Sequence, residues 1–167
     1  MKTFLLFFTF LFLLSGCSNN NAFDLFKMDK DQERSITSLQ TAKIQTKDGL
    51  VSGVISAIYL NEVYPDSFND GENFFVYIYL KKEEKMYNPK KFIKTNLNLK
   101  LNGKLIIKLE ELPKQNKFSH LVSVNSNWNK YYLVTFATDK KRNLSLNLSL
   151  ESDPSSSAVL TYLKAEQ

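Results

Sequence analysis

From Leu39 onward the chain follows a period of two. Leu144, Leu146, Leu148 and Leu150 alternate with Ser145, Asn147 and Ser149, which puts every second side chain on one face of a strand. Leu97, Leu99 and Leu101 repeat the pattern within 96–101. The stretch 50–60 is apolar on both faces around Gly53, as a central strand or a bulge requires. In 74–80 the even positions Phe74, Val76, Ile78 and Leu80 form a core face, and the odd positions Phe75, Tyr77 and Tyr79 share the other. Further strands are expected at 105–109, 120–124, 131–137 and 158–163. No segment beyond the first sixteen residues sustains a long 3.6-residue period, and Pro89 interrupts any helical turn in the loop 81–94. Eight or nine short strands separated by polar turns predict an all-β, antiparallel sandwich or barrel.

Asn102-Gly103 marks a hairpin. A two-residue loop would place Leu105 and Ile107 on the face opposite the leucines of 97–101. A three-residue loop, Leu101-Asn102-Gly103 with Gly103 as a bulge residue at positive φ, would instead set Leu99 opposite Leu105 and Leu97 opposite Ile107. Hydrophobic register therefore predicts the longer loop.

The amino-terminal pattern is different. Lys2 precedes an apolar run from Phe4 to Leu14, eleven residues broken only by Thr9. A membrane-spanning helix needs about 20 residues, so the run suits a secretory signal. The residues that close it, Leu14-Ser15-Gly16-Cys17, resemble the bacterial lipobox at all four positions. That resemblance implies cleavage between Gly16 and Cys17, a diacylglyceryl group on the Cys17 sulfur and an acyl chain on the new amino group. Small side chains let an extended backbone enter a peptidase groove, and only a thiol can become the thioether. One acyl chain binds a bilayer marginally, whereas several hold it almost permanently. Ser18 stands where the sorting pattern of Gram-negative lipoproteins places Asp in proteins kept at the inner membrane, so the resemblance implies the outer membrane. Residues 1–16 are then a signal peptide, 17–34 a lipidated tether and 35–167 the β domain. The strand count and spacing also resemble small lipobox-anchored lipoproteins with an immunoglobulin-like β-sandwich. The paired cysteines of antibody domains are absent, so the similarity is architectural.

Removing residues 1–16 leaves 151 residues carrying 21 Lys and Arg against 17 Asp and Glu, a net charge of +4. Lys and Glu are interspersed, as in Lys81-Lys82-Glu83-Glu84-Lys85, and no basic stripe or nucleic-acid motif appears, so no nucleic-acid partner is expected. A mild positive excess favours acidic lipid or polysaccharide surfaces, in a salt-dependent way. Cys17 is the sole cysteine; once lipidated it leaves a domain without disulfides that must rely on packing. The full chain is 43% hydrophobic, and regular alternation carries much of this into the domain, so it can.

Candidate chemistry is sparse. His120 is the only histidine and sits in an expected strand, without a sequence-evident nucleophile or orienting carboxylate. The acidic loop 65–72 fails the EF-hand pattern, because Phe68 occupies the third ligand position and Tyr77 that of the bidentate glutamate. No enzymatic activity, cofactor or metal is expected. The informative residues are aromatic: Phe75, Tyr77 and Tyr79 on one strand face, Trp128 in a loop, and Tyr131 just after it. Tyrosine and tryptophan combine an apolar ring with a polar tip and make good contact surfaces for proteins or sugars. The opposing expectation is that the loop 81–94 or the tether covers this stripe and that Trp128 caps the core. Taken together these features predict an outer-membrane lipoprotein displaying a binding or assembly module. A periplasm-facing accessory subunit and a barrel holding a small apolar ligand are the alternatives.

Overall fold

The computed structural model describes residues 30–91, 97–122, 126–138, 145–152 and 156–164. Cys17, the apolar run before it and residues 18–29 of the expected tether lie outside the described residues. A helix α1 (Lys30–Ser38) leads into β1 (Leu39–Gln45) and β2 (Val51–Tyr59); a single helical turn α2 (Leu60–Val63) precedes β3 (Glu72–Leu80). There follow β4 (Leu97–Leu101), β5 (Lys104–Leu105), β6 (Lys108–Leu112), a 3₁₀ turn (Ser119–Leu121), β7 (Asn129–Phe136), β8 (Ser145–Ser152) and β9 (Ser156–Leu163). The strands form one antiparallel sheet in the order β5-β4-β8-β9-β1-β2-β3-β7-β6.

The topology forces this sheet to curl. Its two outermost strands, β5 and β6, are separated in sequence only by Ile106 and Ile107. The three Cα steps from Leu105 to Lys108 span at most about 11 Å, so opposite edges of a nine-stranded sheet are brought together into a half-barrel. The stretch expected as one strand at 105–109 is thus two, its first part paired with β4 and its second with β7. At the other seam β9 meets β1 through a single residue pair, Gln45 and Ser157.

The hairpin departs from the expected register. Lys104 pairs with Leu101 and Leu105 with Lys100, a two-residue loop with Asn102 at φ 48° and Gly103 at φ 79°. Two consecutive left-handed residues define the tight turn that Asn-Gly favours, and this local preference overrode hydrophobic register. Ile106 takes the buried position, while Leu105 and Ile107 are exposed.

The concave face carries the main core. Leucines of β4, β8 and β9 meet Ile55, Phe74, Val76, Tyr132, Val134 and Phe136 from the other half, so the alternation that predicted the strands also fills the curl. Phe74 lies 5.3 Å from Tyr162 and 6.0 Å from Phe136, ring centre to ring centre. At one end the buried Glu72 accepts hydrogen bonds from the Tyr59 hydroxyl and from Lys164 Nζ at 2.5 Å, and the Tyr162 hydroxyl donates to Ala57 O at 2.7 Å. Burial pushes the Tyr59, Tyr132 and Tyr162 hydroxyls well above the usual phenol range, and Glu72 adds to the effect at Tyr59. Below the ordinary phenol value, about 10, both folded and unfolded chains keep these protons and the stability is complete. Above it only the unfolded chain ionises freely, so stability falls as pH rises. Urea midpoints at pH about 8 and about 11 check this: the second should be clearly lower, and an unchanged midpoint would contradict it.

A second, smaller core lies on the convex face. Ile58, Phe75, Tyr131 and Leu133 pack against Leu60, Val63, Phe118 and Leu121. This cover is made by α1, α2 and the segment 113–122, not by the loop 81–91. That loop instead sends Met86 into the concave core and bonds to β4 through Tyr87 N and Leu97 O at 2.8 Å. Helix α1 occupies part of the expected tether, so the folded body begins no later than Lys30. Its inward side is made of serines: Ser35 Oγ donates to Leu121 O, and Ser38 Oγ accepts from Tyr59 N. The strand expected at 120–124 is a 3₁₀ turn over its described part. There Ser119 N donates to Asn116 O, Asn116 N donates to Ser119 Oγ, and Asn116 Oδ1 accepts from Phe118 N, turn chemistry that displaces extended backbone.

Candidate functional site

The convex face is graded along the strands. Its first row, Leu39, Ile58, Phe75 and Leu133, is buried or half-buried. The next row, Thr41, Ser56, Tyr77 and Tyr131, is mixed. The third, Lys43, Val54, Tyr79 and Asn129, opens to solvent, with Tyr79 39% exposed. The five aromatic residues singled out above therefore divide. Phe75 and Tyr131 are sealed within the second core, stacked 6.2 Å apart, and Phe118 covers Phe75 at 5.2 Å; they present no contact surface. Tyr77 is half-buried beside Tyr131, and burial raises its hydroxyl pKa against a lowering contribution from Ser56. Tyr79 and Trp128, the latter 79% exposed, remain at the surface.

Trp128 does not cap the core. It stands next to Asn129, the cross-strand partner of Tyr79, on a turn held from beneath. The Tyr131 hydroxyl accepts from Ser126 N and donates to Ser126 O, both at 3.0 Å. Ser126 Oγ in turn accepts from Trp128 N at 3.1 Å, and Lys114 Nζ donates to Asn127 Oδ1 at 2.6 Å. The role of Tyr131 is thus to support the turn rather than to touch a ligand. Alternation along β7 could place Tyr131 on this face, but nothing in the sequence showed what its hydroxyl would reach.

The other candidates make contacts within the fold. His120 Nε2 shares a 2.7 Å hydrogen bond with the Tyr64 hydroxyl, and its backbone oxygen accepts from Gln32 of α1. The Gln32 bond fastens α1 to the 3₁₀ turn, and the Tyr64 bond ties the chain after α2 to it. In the acidic loop, Asn61 and Asn73 bind the Gly71 carbonyl and each other, and Thr135 donates to Asn73 Oδ1. Gly71 sits at φ 91°, where a side chain would meet Phe136 O. Among the described residues no group of three or more His, Cys, Asp or Glu side chains is placed to hold a metal ion, and no helix is long and apolar enough to cross a membrane. Compared with known protein families, curated proteins and solved structures, the chain matches none.

Proposed function

We propose that the chain is a lipoprotein of the bacterial outer membrane, anchored through acylated Cys17 and displaying its β body as a non-catalytic binding or assembly module. The observation that carries this reading is Leu14-Ser15-Gly16-Cys17 at the end of an eleven-residue apolar run, too short to span a bilayer. The body supports it in kind. A disulfide-free exported domain needs extensive packing, and two apolar clusters supply that on opposite faces of one sheet. We propose further that the body is related in architecture to immunoglobulin-like modules; in support, residues of β4, β8 and β9 share one core with residues of β2, β3 and β7 across the curl of the sheet. Against a barrel holding a small apolar ligand stands the packing of Phe74, Tyr59, Phe136 and Tyr162 ring against ring inside the curl.

Cys17→Ser tests the anchor. The serine hydroxyl cannot form the thioether, so the lipid chains and their roughly 0.8 kcal/mol per buried CH₂ are lost. The variant is expected to take up no label from a labelled fatty acid, whereas the wild type is labelled; label retained by the serine variant, or none on the wild type, would contradict the reading. Protease treatment of intact cells separates display outside the cell from a periplasm-facing accessory role, since only an exposed body is cut.

A further inference from the structure

We propose that the Tyr79–Trp128 end of the convex face is a binding platform for acidic polysaccharide. This rests on the reading of the body as a displayed binding module and names the ligand class of that surface. A tryptophan 79% exposed is costly to leave in water, since burying a large apolar side chain is worth about 1.5–3 kcal/mol. Here the exposure is built in, because the buried Tyr131 hydroxyl and Ser126 fix the turn from below. A ligand therefore meets a preorganised ring.

Size argues against a protein partner. The apolar surface consists of Trp128 and Tyr79 with half-buried Tyr77 and Val54, far less than the roughly 800 Å² per partner of a standard protein interface. Its border is made of hydrogen-bonding groups, Asn127, Asn129 and Ser126. A flat ring edged by amides and a hydroxyl matches a sugar, which offers an apolar C–H face and polar hydroxyls. The charge selects an acidic one. Lys43 and Lys81 are exposed at this end, Lys114 reaches the turn, and Lys130 is paired with Glu83 at 3.0 Å. The anchoring bilayer fits less well. Gln32 and Arg34 of α1 bond to His120 and Val63, at the opposite end of the strands, so the described part of the chain begins away from Trp128.

Trp128 is the only tryptophan, so its fluorescence reports on the platform directly. The mature protein in detergent is titrated with polygalacturonate, with neutral dextran as control. Polygalacturonate is expected to shift the emission, with affinity falling about tenfold between low and high salt; dextran should bind at least about tenfold more weakly. Trp128→Ala, followed calorimetrically, should weaken binding about tenfold or more without lowering the melting temperature. Tyr131→Phe keeps the buried ring but frees the turn, and should weaken binding several-fold. Cys17→Ser should bind polygalacturonate as the wild type does, so failure of the anchor and failure of the platform are distinguishable. Absent binding, equal binding of both polymers, or wild-type affinity in Trp128→Ala would overturn the proposal. An emission shift with anionic vesicles but not with polygalacturonate would also overturn it, assigning the surface to a bilayer.

Discussion

Gly53→Ala is expected to destabilise the protein by about 3 kcal/mol or more, enough to unfold much of it at moderate temperature. Gly53 lies in β2, paired with Ile44 on one side and Leu80 on the other. A Cβ built there falls 2.3 Å from the Tyr79 carbonyl oxygen, with Leu80 Cδ2 at 3.0 Å and Ile44 Cδ1 at 3.2 Å. A side-chain tip could rotate away, but the carbonyl belongs to the backbone of the neighbouring strand. Relief requires β2 and β3 to separate where both are central, beside the β1 irregularity between Ile44 and Gln45. The urea midpoint measures the effect, and a shift worth less than about 1 kcal/mol would mean that the sheet yields far more easily than its packing implies.

Phe75→Ala is expected to cost about 3–5 kcal/mol, the range for deleting a large buried aromatic side chain. Phe75 is fully buried among Tyr77, Phe118 and Tyr131, and the cavity left would lie beneath segments of differing chain origin that cannot collapse together. A contact residue would behave differently, losing affinity while the melting temperature held. Stability and polygalacturonate affinity measured on one sample decide between these roles. A variant that melts normally would show that Phe118 does not seal the face.

The difference between Phe75 and Tyr79 marks the limit of what alternation can tell. Both are odd positions of one strand, so periodicity assigns them the same face and no more. Burial depends on what lies above, and the cover comes from Phe118 and Leu121, more than forty positions away along the chain. The concave core was legible because each of its strands carries its own apolar row. Helix α1 was not, since its inward residues are serines satisfied by Leu121 O and Tyr59 N, while Ile36, its apolar residue, is exposed. The hairpin at Asn102-Gly103 shows two legible signals in conflict, with left-handed turn geometry prevailing over the pairing of Leu99 with Leu105. The platform was half legible: Tyr79 and Trp128 stand in the sequence, but alternation does not specify that the Tyr131 hydroxyl turns back to Ser126 N and O, and only the pairing of β3 with β7 brings Tyr79 beside that turn.

Mass spectrometry of the mature amino terminus, on protein extracted from the cell envelope, tests the lipid anchor most directly. The expected peptide begins at Cys17 and carries a diacylglyceryl group on sulfur and an acyl chain on nitrogen. A peptide that begins at Met1, or one that begins at Cys17 with a free thiol, would contradict it.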